Sequence, residues 1–422
     1  MTIRRFPGSD PPTPEEISRV ESLPVELPWN AGLPAAEAAE SLPYDVPVAI
    51  VGAGITGSAA ALTLARRGVT VAVLDRRAIA EGATGRSAGL LALGGGTLYA
   101  RAVRSLGREK ARDLWRFTEE NRQALEALAA ESKLAFGYEG SGSLWLAHSE
   151  EERDEALRSI DLLQEDGFES SWWEEDRAAA AIGSDAFHGA IHRAADAVCD
   201  PARLNAAIAS LAARAGAIFV HGVDVREAEE TEEGVSLDTD RGRVRSEMLL
   251  LCGDALVARL DPFFHDTVTP AAAQMMQTAP VEGGFEIPFV THFGHELARR
   301  GPDGSILVGG MRWALPDFGV GRRSERPLPE LTARLARFLR ETFPRLGDAR
   351  PVRHWGGLLG LSCDGLPFVG PIPGRPRLLV AAGYGGRGLA MGYLAGRMLG
   401  QMVVGDPVPE EWTRHFSPRR MV

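Results

Sequence analysis

Apolar positions along the chain change period in a way that separates strands from helices. Val48-Ala-Ile-Val51 is a continuous apolar run followed by G-A-G-I-T-G at Gly52–Gly57. An alanine-rich stretch from Ser58 to Arg67 then closes at Gly68, and a second β-branched run, Val69–Val73, ends in Leu74 and Asp75. Short apolar runs bounded by glycine predict buried strands, and the stretch between them predicts a helix. From Arg101 to Glu131, Val103, Leu106, Leu114, Phe117, Leu125 and Leu128 recur at near-helical spacing, which predicts one or two amphipathic helices. Residues 143–147 alternate as a short strand, 149–165 form a charged helix, and Asp200-Pro201 opens a helix over Ala202–Ala215 that stops at Gly216. Ala217–Val220 and Val223–Val225 read as strands, followed by an acidic hairpin and a buried strand, Met248–Cys252. Within 285–313, Pro302–Ser305 is a turn between two extended runs, which predicts an antiparallel hairpin in a second domain. Helices follow at Glu330–Glu341 and Ala390–Val403. Residues 1–45 are proline-rich, with Phe6, Trp29 and Tyr44 as aromatic anchors; they read as an arm over the folded body, or as a partly disordered one.

The first glycine segment carries specific chemistry. Gly52 suits a tight turn out of the strand, Gly54 lets a pyrophosphate approach the backbone, and Gly57 lets the helix pack closely on the sheet. The free N–H groups of that helix then face phosphate charge. Asp75 follows about twenty residues on, where an acid can hold ribose hydroxyls. Two more glycine-rich segments, Gly82–Gly89 and Gly383–Gly388, suggest one extended cofactor touched from both ends of the chain. A plain turn is the alternative for any single glycine, and the joint order argues against it.

A length of 422 residues allows about two to three domains. The net charge of −11, with no basic tract longer than Arg322-Arg323, argues against a nucleic-acid partner. Cys199, Cys252 and Cys363 are widely spaced and form no CxxC, so neither a disulfide framework nor a zinc site is expected and the compartment reads as reducing. No apolar stretch of about 18 residues could span a bilayer. Arg4-Arg5 is followed by Pro11, Pro12, Pro14, Glu15 and Glu16 where a signal would be apolar, so a cytoplasmic location is expected. His292 and His295 come nearest to a metal pair, but in an extended context that spacing points them to opposite faces, and no metal is expected. The chain also lacks G-x-S-x-G and H-E-x-x-H.

Gly82-A-T-G-R-S-A-G89 resembles the G-A-S-G-R-N-A-G element of the FAD-dependent D-amino-acid-oxidase-like superfamily. W-G-G-L-L-G-L-S-C-D-G-L-P-F-V-G-P at Trp355–Pro371, followed by A-A-G-Y-G-G-R-G at Ala381–Gly388, resembles that superfamily's C-terminal signature. The group includes glycine oxidase, monomeric sarcosine oxidase and γ-glutamylputrescine oxidase. The resemblance covers roughly residues 46–405. It implies an α/β fold in which 46–98, 185–260 and 350–422 form a Rossmann-like FAD-binding domain, and 99–184 and 261–349 form an antiparallel-sheet substrate domain. It also implies FAD, with Gly52, Gly54, Ile55, Thr56, Gly57, Asp75 and Arg76 at the ADP part and Val225 and Gly253 beside them. Thr84, Arg86, Ser87, Ala88 and Gly89 would follow the flavin, and Gly383, Gly385, Gly386, Gly388 and Leu389 would form the flavin-edge loop. The implied reaction is hydride removal from the carbon beside an amine nitrogen of a small amine or amino acid, giving an imine that water hydrolyses.

Departures from the superfamily pattern sharpen these expectations. Leu359 stands where glycine-oxidase-like relatives have a carboxylate-binding arginine. Arg312, in G-G-M-R-W, offers a substitute if it shares a strand face with Ile306 and Val308; an ordinary surface ion pair is the competing expectation. The substrate is then an amine or a substituted amino acid. Leu307 corresponds to the oxygen-activating lysine of sarcosine oxidase, and the chain holds only Lys110 and Lys133, which favours an acceptor other than oxygen. Gly357 and Ser87 stand at positions used for covalent tethers, so non-covalent FAD is expected. Arg312, Trp355 and Tyr384 are expected to line the substrate cavity. Competing functions are oxidation of another donor, such as a hydroxy acid, and a flavin-binding subunit that docks through the proline-rich arm.

Overall fold

The computed structural model describes residues 10–29, 39, 41–94, 96–132 and 136–422. The first apolar run extends over Asp45–Val51 and lies in parallel between Val71–Asp75 and Gly242–Leu251. Arg375–Ala382 continues the parallel sheet on one side and Ile218–His221 on the other. Ile50, Val73, Leu250 and Val380 are fully buried, as parallel strands covered on both faces require. Phe368–Ile372 pairs antiparallel at one edge, and the acidic hairpin Val225–Thr231/Gly234–Thr239 joins along Gly242–Leu251.

The helix after the first glycine turn, Ile55–Arg66, packs against Pro201–Arg214 and Gly388–Val404. Its contact with Gly388–Val404 is close because Gly392, Gly396 and Gly400 form a stripe at helical spacing. A Cβ at Gly396 would stand 2.1 Å from the Thr56 carbonyl oxygen. This stripe brings the C-terminal glycine loop to the dinucleotide turn.

The second sheet has eight strands among the described residues, and Val268–Thr278 pairs antiparallel with Pro351–Ser362 along its whole length. Ile306–Gly309 and Glu296–Arg300 form the hairpin around Pro302–Ser305. One pair departs from the antiparallel expectation: Phe289–Thr291 runs parallel to Ser143–Leu146. Helix Pro329–Thr342 covers this sheet, with Leu335, Phe338 and Leu339 packed against Phe285, Phe289 and Phe343.

The linear domain boundaries need correction. Ala190–Arg193 and Pro351–Ser362, assigned by sequence to the FAD-binding part, are strands of the second sheet. Helices Tyr99–Leu106 and Arg108–Ser132, assigned to the substrate part, pack into the core of the first sheet's helices, where Asn121 holds the start of Gly388–Val404 through Leu389 O and Leu394 N. Strand pairing and helix docking cross the chain order, and local period carries no information about either.

The arm docks. Helix Pro14–Glu21 starts at a Thr13 capping box and packs on Pro329–Thr342, where Glu16 pairs with Arg337 and Arg340. Val25 bridges to His354, and Trp29 is buried. Tyr44 is exposed, so it does not anchor the arm, and Phe6 lies outside the described residues. Among the described residues no helix is long and apolar enough to cross a membrane.

Candidate active site

A cavity of about 590 Å³ is lined from both sheets. At its nucleotide end Gly52 has φ +110°, and a Cβ there would stand 2.5 Å from the Cys252 carbonyl oxygen. A Cβ at Gly57 would stand 1.9 Å from Gly52 O, so helix and turn touch backbone to backbone. The helix beginning after Gly54 has no acid in its first turn, and the glycine at its N-cap offers no side chain; the Ile55 N–H is accepted by Thr84 Oγ1 at 3.1 Å. Gly54, Ile55 and Thr56 line the cavity, so the positive end of the helix dipole opens onto it. This glycine-led N-terminus, beside a turn that only glycine can make, fits a pyrophosphate.

Asp75 ends its strand at the same rim. Its carboxylate accepts the N–H of Ala53 at 2.6 Å and of Arg77 at 2.8 Å, and burial raises its pKa. It therefore braces the glycine turn as well as facing the cavity.

In the cavity wall three distant segments meet at the carboxylate of Asp254. It accepts N–H groups from Gly360 (3.1 Å), Gly383 (2.9 Å) and Tyr384 (3.2 Å), tying the second sheet to the C-terminal glycine loop. Burial pushes this carboxyl's pKa up. Tyr384 OH lies 2.9 Å from Thr56 Oγ1, so its hydroxyl faces the dinucleotide helix. Arg86 is tied to Glu81 O (2.9 Å) and Gly356 O (2.6 Å), and Trp355 Nε1 donates to Arg86 O at 3.0 Å.

The far end is built by the second sheet. Arg312 does not continue the strand Ile306–Gly309. Met311 adopts a left-handed conformation (φ 59°), and Arg312 begins a short helical turn. Its side chain lines the cavity, its Nε has no hydrogen-bond partner among the described residues, and burial alone lowers its pKa. A surface ion pair is therefore not its role. Glu296, fully buried, holds this turn by accepting Met311 N–H (3.2 Å) and Trp313 Nε1–H (2.7 Å).

His292 and His295 do not lie in extended chain either. Their segment is a tight turn with His292 and Phe293 at positive φ. His292 Nδ1 lies 2.9 Å from Glu296, while His295 lines the cavity with its pKa lowered by burial. Trp145 and Phe293 complete this wall, both held by Glu152 through Trp145 Nε1–H (2.8 Å) and Phe293 N–H (2.7 Å).

Of the residues expected to hold cofactor or substrate, only Gly57 and Gly383 do not line the cavity. Gly57 packs helix on turn, and Gly383 donates to Asp254. Leu307 also lies off the cavity, in the core with Trp29, Met275 and Trp355, so the lysine-equivalent position does not face it. Lys110 is exposed on a helix, and Lys133 lies outside the described residues. Sequence reasoning missed Asp254, Glu296, His295 as a cavity residue, and Arg387, which donates to Tyr384 O and Gly365 O beneath the glycine loop. Only the Gly-Asp pair at Gly253-Asp254, ending a buried strand, carried a local signal for any of them.

The family model for FAD dependent oxidoreductases, DAO, matches residues 47–402. Glycine oxidase of Geobacillus kaustophilus is 27% identical over 389 residues, 89% of this chain and 98% of the relative. D-amino acid dehydrogenase of Methylobacterium nodulans is 28% identical over 308 residues, 69% of this chain and 70% of the relative. The crystal structure of the Geobacillus kaustophilus glycine oxidase superposes with a TM-score of 0.77 at 23% identity, covering 90% of this chain and all of the other. A match over most of the chain, with the glycine turn, the open helix end and the cavity in register, makes this protein a member of the DAO family of FAD-dependent oxidoreductases.

Proposed function

We propose that the protein oxidises the C–N bond of an amino acid or substituted amino acid and that Arg312 binds the substrate carboxylate. The observation that carries this reading is the guanidinium lining the cavity with its Nε unpaired and, among the described residues, no carboxylate beside it. A half-buried cation with an unpaired donor costs free energy, which an anionic ligand offsets by a charge-assisted pair. FAD held by the glycine segments would supply the two-electron acceptor for hydride from the carbon next to nitrogen. The chain's own part is to orient and to exclude water. Arg312 fixes the carboxylate, Trp145, Phe293 and Leu359 supply apolar wall, and His295, kept neutral by burial, offers a proton acceptor in the same cavity. The relatives, a glycine oxidase and a D-amino acid dehydrogenase, agree with an amino acid donor.

FAD is held here without a covalent bond, since Ser87 and Gly357 line the cavity where tethering side chains would stand. A reducing, cytoplasmic setting belongs to the same reading and is supported by three free cysteines.

Arg312→Met tests the assignment. Loss of one partner of a buried charge pair is expected to lower kcat/KM for an amino acid by about 10²–10³-fold, while the matching amino acid ester, which lacks the charge, is affected little. Equal losses for acid and ester would remove Arg312 from substrate binding. Turnover of 2-hydroxy acids but not of amino acids would replace the C–N donor with a hydroxy acid.

A further inference from the structure

We infer that Trp29, in the N-terminal arm, is a positioning residue of the cofactor site that sets the direction of the peptide N–H groups of the loop 86–90. Trp29 lies before the residues matched by the family model. It does not line the cavity, and it approaches the loop from the outer side. Its Nε1–H donates to Ser87 O at 3.3 Å.

Two neighbouring carbonyls are held the same way. Trp355 Nε1–H donates to Arg86 O at 3.0 Å, and Arg299 Nη1 donates to Gly89 O at 3.3 Å, with its guanidinium carbon 5.1 Å from the Trp29 ring centre. In a trans peptide the C=O of one residue and the N–H of the next point in opposite directions. Fixing Ser87 O and Gly89 O outward therefore turns the N–H groups of Ala88 and Leu90 the other way. The ladder agrees. Cys199 N–H donates to Gly89 O, which makes Leu90 and Val198 a non-hydrogen-bonded pair and leaves the Leu90 N–H off the strand partner. Ser87, Ala88, Gly89 and Leu90 all line the cavity. Two N–H donors two residues apart thus face the cofactor space, with the arm's indole fixing one of them.

The inference rests on FAD as the family's cofactor and not on the substrate proposed above, and neither measurement below uses a substrate. Trp29→Phe keeps most of the ring and removes its donor. In the full-length chain, titration of the apoprotein with FAD is expected to show about three- to tenfold weaker binding, the effect of one hydrogen bond, together with a shifted flavin midpoint potential. The melting temperature of the apoprotein should stay near that of the unmodified chain. Unchanged FAD affinity and potential would overturn the inference, as would a loss of apoprotein stability with FAD affinity unchanged. A second measurement needs no variant: hydrogen exchange of the unmodified apoprotein with and without FAD. Slower exchange in residues 23–29 on adding FAD, in a segment that does not border the cavity, supports the coupling. No change there would overturn it.

Discussion

The two ends of the cavity are made by different means. At the nucleotide end, backbone does most of the work: glycines at 52 and 57 allow contacts that a Cβ would forbid, and the helix start, held at Ile55 by Thr84, opens onto the cavity. At the substrate end, side chains do it: two fully buried glutamates, Glu152 and Glu296, hold the turns that aim Arg312, His295, Trp145 and Phe293. Backbone sites tolerate almost no substitution yet serve one ligand across many proteins. Side-chain sites can be altered one residue at a time, which lets one family vary its substrates while keeping its cofactor.

The largest effect is expected from Gly57→Val, because the new side chain meets the Gly52 carbonyl oxygen at 1.9 Å with backbone on both sides of the contact. The variant should retain no flavin, read as the absence of visible absorbance after purification. A fully loaded protein would mean that the close backbone contact is dispensable and would break the comparison. At the other end, Glu296→Ala leaves the N–H groups of Met311 and Trp313 without their acceptor. Each orphaned buried donor costs about 1–3 kcal/mol, so KM for the amino acid should rise tenfold or more while FAD affinity stays as it was. A fall in FAD affinity to match would show that the two ends are one unit.

Asp75→Ala should weaken FAD binding by about 1–3 kcal/mol, the worth of hydrogen bonds to a charged acceptor. Part of that loss arises through the glycine turn, because Asp75 also accepts the Ala53 N–H. Titration of the apoprotein measures it. The smallest expected signal is kinetic. Among the described residues no lysine lines the cavity, so reoxidation of the dithionite-reduced enzyme by O2 should be slow beside an acceptor dye. Stopped-flow gives the rate directly. A constant near ~10⁴ M⁻¹s⁻¹ or above, the lower range of efficient enzyme steps, would assign oxygen activation to another group, and His295 is then the residue to replace.

Most of the expected cofactor positions line the cavity, and they could be named because their requirements are local. A turn that needs φ near +110° selects glycine wherever it occurs, and the apolar runs on either side mark the strands it joins. The substrate end was harder to read. Arg312 could be named, but a strand assignment gave its direction for the wrong reason, since Met311 turns the chain before it. His292 and His295 looked like an extended pair because no sequence signal announces non-glycine residues at positive φ.

By itself the sequence determined the strand–turn–helix–strand unit, the three glycine segments and the hairpin at Pro302–Ser305, since each depends on neighbours a few residues apart. Only the tertiary structure decided that Asp254 gathers Gly360, Gly383 and Tyr384, and that Arg312 faces the cavity with no carboxylate among the described residues to neutralise it. It also decided that Ala190–Arg193 and Pro351–Ser362 belong to the second sheet, and that Trp29 reaches Ser87. The physical reason is common to all four. Burial and pairing between residues far apart in the chain are set by how whole sheets and helices pack, and that packing leaves no period in the local sequence.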